Sequence, residues 1–166
     1  MRHVAIVFAI LIAACSKPAK EEPKVTAADA VAGAVQTFEH FESPGGKYGV
    51  DFPSSWKGLY GAMERPDTVA GARFITEFMY APDGPMKVPP RTILAVRIFS
   101  KEAWAKVVAR QGPPLAAKAA ERGDDVFAYS LPAGNPYKPG TAEAKNFDMM
   151  VLAVVNDPAG LRITPR

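Results

Sequence analysis

Cysteine and histidine, the side chains most often used for covalent and acid–base chemistry, are scarce in this 166-residue chain. There is one cysteine, Cys15, and two histidines, His3 and His40. Cys15 follows a short positive start (Met1-Arg2-His3), an apolar run over residues 4–14, and two small residues, Ala13 and Ala14, directly before the thiol. This order is the pattern of an export signal with a small-residue cleavage site. As a helix, residues 4–14 would extend roughly 16 Å at about 1.5 Å per residue. A bilayer core is about 30 Å thick, so the run suits a signal core better than a membrane span. Ordinary cleavage after Ala14 would leave an exported chain with a free thiol at its start, and a lone thiol has no internal disulfide partner.

The other nucleophile candidates are weaker. Ser54-Ser55-Trp56-Lys57 formally fits Ser-x-x-Lys, the pairing used by serine/lysine hydrolases. That chemistry wants the serine opening a helix with the lysine one turn on. Here Pro53 precedes and Gly58 follows, which reads as a strand-ending turn. No Gly-x-Ser-x-Gly elbow surrounds Ser54 or Ser55. His40 stands among Glu39, Phe41 and Glu42, a group able to touch an adventitious cation but read as the surface of an edge strand. One histidine after the signal excludes a His-rich metal site. Asp124-Asp125 follows Gly123 as hairpin turns do, and Glu143 suits a helix start. Neither that pair nor Glu143 with Asp148 has calcium-loop spacing. A carboxylate dyad distant in sequence stays open. No catalytic residue, metal or cofactor is expected.

Two stiff loops are candidates for recognition. Residues 131–140 hold three prolines and two glycines, with Asn135, Tyr137 and Lys138 available for contacts. Residues 81–90 hold four prolines and Met86. The simpler reading of 131–140 is a rigid strand-to-helix connection. The functional one is a binding loop on a scaffold. If both loops lie at one end of the sheet, they frame a cleft.

The start of the chain resembles the lipobox of bacterial lipoproteins, carried by Ile12-Ala13-Ala14-Cys15. The resemblance implies that Cys15 becomes the first mature residue, with a diacylglycerol on its sulfur and usually an amide-linked chain. Several chains hold a protein to a membrane far longer than one. Ser16 follows, where Asp would imply retention at the inner membrane. The family rule then implies the periplasmic face of the outer membrane, if the source is Gram-negative.

Residues 1–14 are thus expected to be signal, 15–34 lipidated cysteine and linker, and 35–166 one domain. Lys17-Pro18-Ala19-Lys20-Glu21-Glu22-Pro23-Lys24 is charged and lacks large apolar groups, so it cannot offset its ordering entropy. About 19 such residues reach roughly 25 Å. Residues 27–35, rich in alanine, suit a helical turn or two. Without the signal, 152 residues remain, with 19 Lys+Arg against 17 Asp+Glu mixed along the chain. That size allows a real core. The absence of a basic stripe argues against nucleic acid.

Period-two alternation predicts strands at 48–52, 74–80, 91–99 and 126–131, and weaker ones at 35–41 and 58–64. Residues 91–99 are apolar on both faces except at Arg97, as in a central strand covered by helices on one or both sides. Ser100 is a good N-cap for a helix carrying Trp104, Val107, Val108 and Gln111, ended by Gly112-Pro113. A second helix starts near Thr141, with Phe147, Met150, Val151, Val154 and Val155 as its stripe, and Asn156-Asp157-Pro158 closing it. Residues 115–121 suit helix by composition, but the Gly123 turn favours a strand in a hairpin with 126–131. A last strand at 161–164 returns to the sheet. The fold class is α+β, a mainly antiparallel sheet with flanking helices.

Residues 43–57, from Ser43-Pro44-Gly45-Gly46 through Tyr48-Gly49-Val50-Asp51-Phe52-Pro53 to Trp56-Lys57, resemble the opening of PsbP-like domains. In such an opening Pro53 stops the strand and Trp56 plugs the end of the core. The resemblance implies an αβα sandwich and an accessory or binding role. The expectation is a membrane-anchored envelope lipoprotein, non-enzymatic, with an envelope protein as partner. The alternatives are a small-ligand carrier and an envelope hydrolase using Ser54 and Lys57 or carboxylates.

Overall fold

The computed structural model describes residues 38–67, 71–82, 89–112, 114–157 and 161–166. The signal, Cys15, Ser16, the linker and the alanine-rich stretch lie outside the described residues, as do 35–37, Met86, Pro113 and Pro158.

The elements run β1 (Phe38–Glu42), β2 (Tyr48–Pro53), a 3₁₀ turn (Ser54–Trp56), β3 (Tyr60–Pro66), β4 (Phe74–Tyr80), β5 (Arg91–Ser100), α1 (Lys101–Val108), β6 (Ala117–Arg122), β7 (Asp125–Ser130), α2 (Ala142–Asn156) and β8 (Arg162–Pro165). Every strand pairing among the described residues is antiparallel, and the fold class is α+β. The strands form two sheets, ordered β1-β2-β8 and β3-β4-β5-β7-β6. Alternation alone had suggested one. The chain leaves the first sheet where Pro53, which lacks an N–H, ends β2. The 3₁₀ turn and Gly58, at φ +73°, then send β3 into the second sheet.

β5 is the middle strand of the five, as its two apolar faces require. Leu94, Val96, Ile98 and Phe127 face a core shared with Tyr48, Val50 and Phe52 of β2 and with Phe147, Met150 and Val154 of α2. On the opposite face, Phe99, Val126 and Ala128 pack with Val107 and Ala116. There the Trp104 ring of α1 lies 5.5 Å from Phe99. Because side chains alternate along strands, the two helices cover opposite faces of the large sheet. Arg97, the polar interruption, donates from Nε to buried Asp67 Oδ2 at 3.1 Å and from Nη1 to Ser130 Oγ at 2.9 Å. Pairing makes that charge tolerable near the core.

Trp56 is fully buried and stacks on Phe52, with ring centroids 4.9 Å apart and planes 11° from parallel. It belongs to the main core, where its indole meets Tyr60 and bonds to the Met150 carbonyl of α2. Ser100 Oγ accepts from Ala103 N at 3.1 Å, capping α1 as expected. That helix nevertheless stops at Val108, short of Gln111 and Gly112, because Val108 is 64% exposed and further turns have no apolar surface to cover. Residues 117–122 form a strand, joined to β7 through Gly123 at φ +58°. In α2, Val155 is not part of the buried stripe. It is 51% exposed, on the outer side of the helix.

Candidate functional site

The 131–140 loop meets the described end of the 81–90 loop at Pro89, and residues 83–88 lie outside the described residues. Asn135 lies two residues before Tyr137, and its Oδ1 accepts the Tyr137 N–H at 2.9 Å, an Asx turn. Its Nδ2 donates to the carbonyl of Ala144 at 2.8 Å, pinning the loop to the first turn of α2. Tyr137 is thereby turned inward. Its ring meets Tyr80 and Phe147 edge-on, at 5.7 and 5.5 Å. Its hydroxyl donates to the carbonyl of Pro89 at 3.3 Å, which ties the two loops together. Thr141 completes the frame. Its Oγ1 donates to Lys138 O at 2.9 Å and accepts from Ala144 N at 3.2 Å, capping α2.

The result is a shallow groove of about 290 Å³. Pro89, Pro136 and Tyr137 give it apolar walls, and Arg91, Lys138, Thr141 and Glu143 give it polar ones. Arg91 and Lys138 are exposed cations, and Glu143 sets a half-buried carboxylate between them and the helix start. Burial pushes the Tyr137 phenol above its ordinary pKa, the neighbouring Tyr80 adds to this, Arg91 opposes it, and Glu143 adds further. The groove therefore offers a neutral phenol edge, two positive charges and one negative charge. These groups can grip a ligand that carries charge beside an apolar portion.

Of the three loop residues expected to make contacts, Lys138 alone is presented to solvent. Asn135 holds the loop, and Tyr137 both ties the loops through its hydroxyl and walls the groove with its ring. The sequence reading missed Arg91 and Thr141. The available signal for Arg91 was its place at the start of a strand directly after Pro89-Pro90.

The remaining chemistry-bearing residues are scattered. Ser54 and Lys57 flank one turn, Lys57 N donating to Ser54 O at 3.0 Å. Both are exposed, and the Lys57 ammonium lies 3.7 Å from Glu39. His40 is half-exposed on the edge strand β1. Its Nδ1 is 2.6 Å from Asp51 Oδ1 and its Nε2 3.2 Å from Glu42 Oε2. Asp51 and then Glu42 hold its pKa above 6.5. Asp124 and Asp125 form the hairpin corner and both accept from Arg73, at 2.6 and 2.5 Å. Glu143 lines the groove, whereas Asp148 lines an adjoining hollow. Among the described residues, no group of three or more His, Cys, Asp or Glu side chains is placed to hold a metal ion.

A further hollow, about 320 Å³, opens beside α1 between Trp104, Val107, Arg110, Gln111 and Leu115. No protein-family model, curated protein or solved structure matches the chain.

Proposed function

We propose that this chain is a bacterial envelope lipoprotein, anchored in a membrane through acylated Cys15, whose domain is a non-enzymatic binding or accessory module. The observation that carries the reading is the sole cysteine, directly after a signal-like apolar run and Ala13-Ala14. In a Gram-negative cell, Ser16 assigns the module to the periplasmic face of the outer membrane. A PsbP-like αβα sandwich is the finer fold reading, supported by helices on opposite faces of the large sheet and by the burial of Trp56 against Phe52. The groove at Arg91 and Lys138 is the contact surface for an envelope protein partner.

The test is a pull-down from detergent-solubilised membranes with the lipidated protein, using Cys15→Ser as the unanchored control. Recovery of a defined envelope protein that is lost in Arg91→Ala/Lys138→Ala supports the reading. Unchanged recovery removes the groove as the surface. A small-ligand carrier is the second reading, favoured by the hollow beside α1, which Trp104, Val107 and Leu115 line together with Arg110 and Gln111. A ligand retained in native mass spectrometry would select it. The hydrolase alternative has less support, since Ser54 and Lys57 are both exposed and the Lys57 ammonium lies near Glu39.

A further inference from the structure

Between Phe147 and Val155, α2 has a single polar residue, Asp148. Helices that are apolar on all sides are normally covered on all sides. The inner side of α2 is covered: Phe147, Met150 and Val154 lie in the core. The outer side is not covered by any described residue. Met149, Leu152 and Val155 are 42%, 49% and 51% exposed, and their spacing of three places them along one stripe. Half of the exposed large hydrophobics among the described residues belong to this one helix.

We infer that this stripe rests on the lipid bilayer, so that the domain lies against the membrane on α2. The inference rests on the proposed anchoring at Cys15. Three observations select lipid over other occupants. First, β1, the first described element after the proposed anchor, starts near this helix. β1 begins at Phe38, whose register partner is Pro53. Glu39 then pairs with Lys57 at 3.7 Å, and Trp56, the residue before Lys57, donates from Nε1 to the Met150 carbonyl at 3.1 Å. The anchored end of the domain and the middle of α2 are therefore neighbours. Second, 22 residues separate Cys15 from Phe38. A chain of that length spans at most roughly 75 Å, which keeps the bilayer at high effective concentration. A weak surface contact then suffices. Third, three half-exposed side chains fall far below the ~800 Å² per partner of a stable protein interface. A bilayer needs no matching shape and accepts a helix lying in its interface. No helix among the described residues is long and apolar enough to cross a membrane, so the contact is superficial. Lys145 and Asp148, both exposed, stand one turn before Met149 and Leu152 on the same face, with opposite charges. The contact should therefore depend little on anionic lipid.

The experiment observes methionine methyl groups by NMR in the full mature chain, anchored in nanodiscs of phosphatidylethanolamine with a minority of phosphatidylglycerol. A nitroxide on the lipid acyl chains supplies the broadening. Met63 is the internal control. It is 44% exposed, like Met149, but lies on β3 opposite Glu77, on the α1 side of the sheet. The expected result is a several-fold loss of the Met149 signal with Met63 unchanged, abolished by Leu152→Glu while the protein stays nanodisc-bound. Equal broadening of both methyls, or of neither, overturns the inference. So does shielding of Met149 without lipid, whether by a second copy at high concentration or by the chain's own linker. The same comparison is made on protein coupled through the Cys15 thiol to a maleimide lipid. Broadening of Met149 there supports the stripe even if the natural chain proves unacylated, which separates failure of the anchor from failure of this contact.

Discussion

The indole Nε1 of Trp56 donates to the backbone carbonyl of Met150 at 3.1 Å, across 94 residues of sequence. The bond joins the turn that ends β2 to the middle of α2, and thus couples the small sheet to the C-terminal helix. Trp56→Ala removes this bond and the stack on Phe52 and leaves a large cavity. It should cost about 3–5 kcal/mol. Trp56→Phe keeps most of the ring but not the donor, and should cost ~1–2 kcal/mol. Chemical denaturation of both variants checks the order.

The loop residues separate into structural and presented ones. Asn135→Ala removes two hydrogen bonds to the loop and helix and should destabilise by about 2 kcal/mol. Tyr137→Phe loses only the bond to Pro89 O, about 1 kcal/mol. Amide exchange at Arg91 should rise in that variant. Lys138→Ala should stay within about 0.5 kcal/mol of the parent. Loss of partner binding in Lys138→Ala at unchanged melting temperature marks a contact residue. Loss in Asn135→Ala alone reports unfolding of the groove.

Asp51 first and Glu42 second raise the pKa of His40 above its ordinary value. A raised folded-state pKa means that its contribution is complete below the unfolded value near 6.5 and fades as pH rises through the folded value. The pair is half-exposed, so the contribution is capped at about 1 kcal/mol by solvent screening. The stability gap between the parent and His40→Gln should therefore close on moving from mildly acidic to mildly alkaline buffer. An NMR titration of the His40 ring should give a midpoint above 6.5. A midpoint below it contradicts the contacts.

Tyr48 behaves differently, because it is buried rather than ion-paired. Desolvation pushes its phenol up to about 12, with a hydrogen bond to Thr76 opposing. Thr76 in turn donates to Glu64 Oε2 at 3.3 Å. The folded state binds this proton more tightly than the unfolded chain does. Stability from this group is complete below about pH 10 and declines above it. Tyr48→Phe should flatten the alkaline decline, while costing about 1 kcal/mol near neutrality through Thr76.

Local patterns in the sequence carried far into the fold. Alternation placed β4 and identified β5 as central, because burial on both faces leaves no polar register except Arg97. Ser100 and Thr141 announced the two helix starts, since a cap is a short-range interaction. The division into two sheets was not legible, because alternation reports which face is buried and not against which sheet. The extent of α1 was overestimated, since Gly112 and Pro113 mark where a helix must stop and not where it loses apolar support. The same limit applied to the site. Asn135 and Tyr137 have side chains suited to recognition, and only the folded arrangement shows that their polar groups also bond to α2 and to Pro89. Arg91 came to the groove through the tie from Tyr137 to Pro89, a contact between loops 48 residues apart.

The central claim is that the thiol of Cys15 carries lipid. Intact-mass analysis of the protein extracted from bacterial membranes measures it directly. The account predicts a chain beginning at Cys15 and heavier than its polypeptide by a diacylglycerol, with or without a further amide-linked acyl group. A chain of bare polypeptide mass, or one retaining residues 1–14, would contradict it.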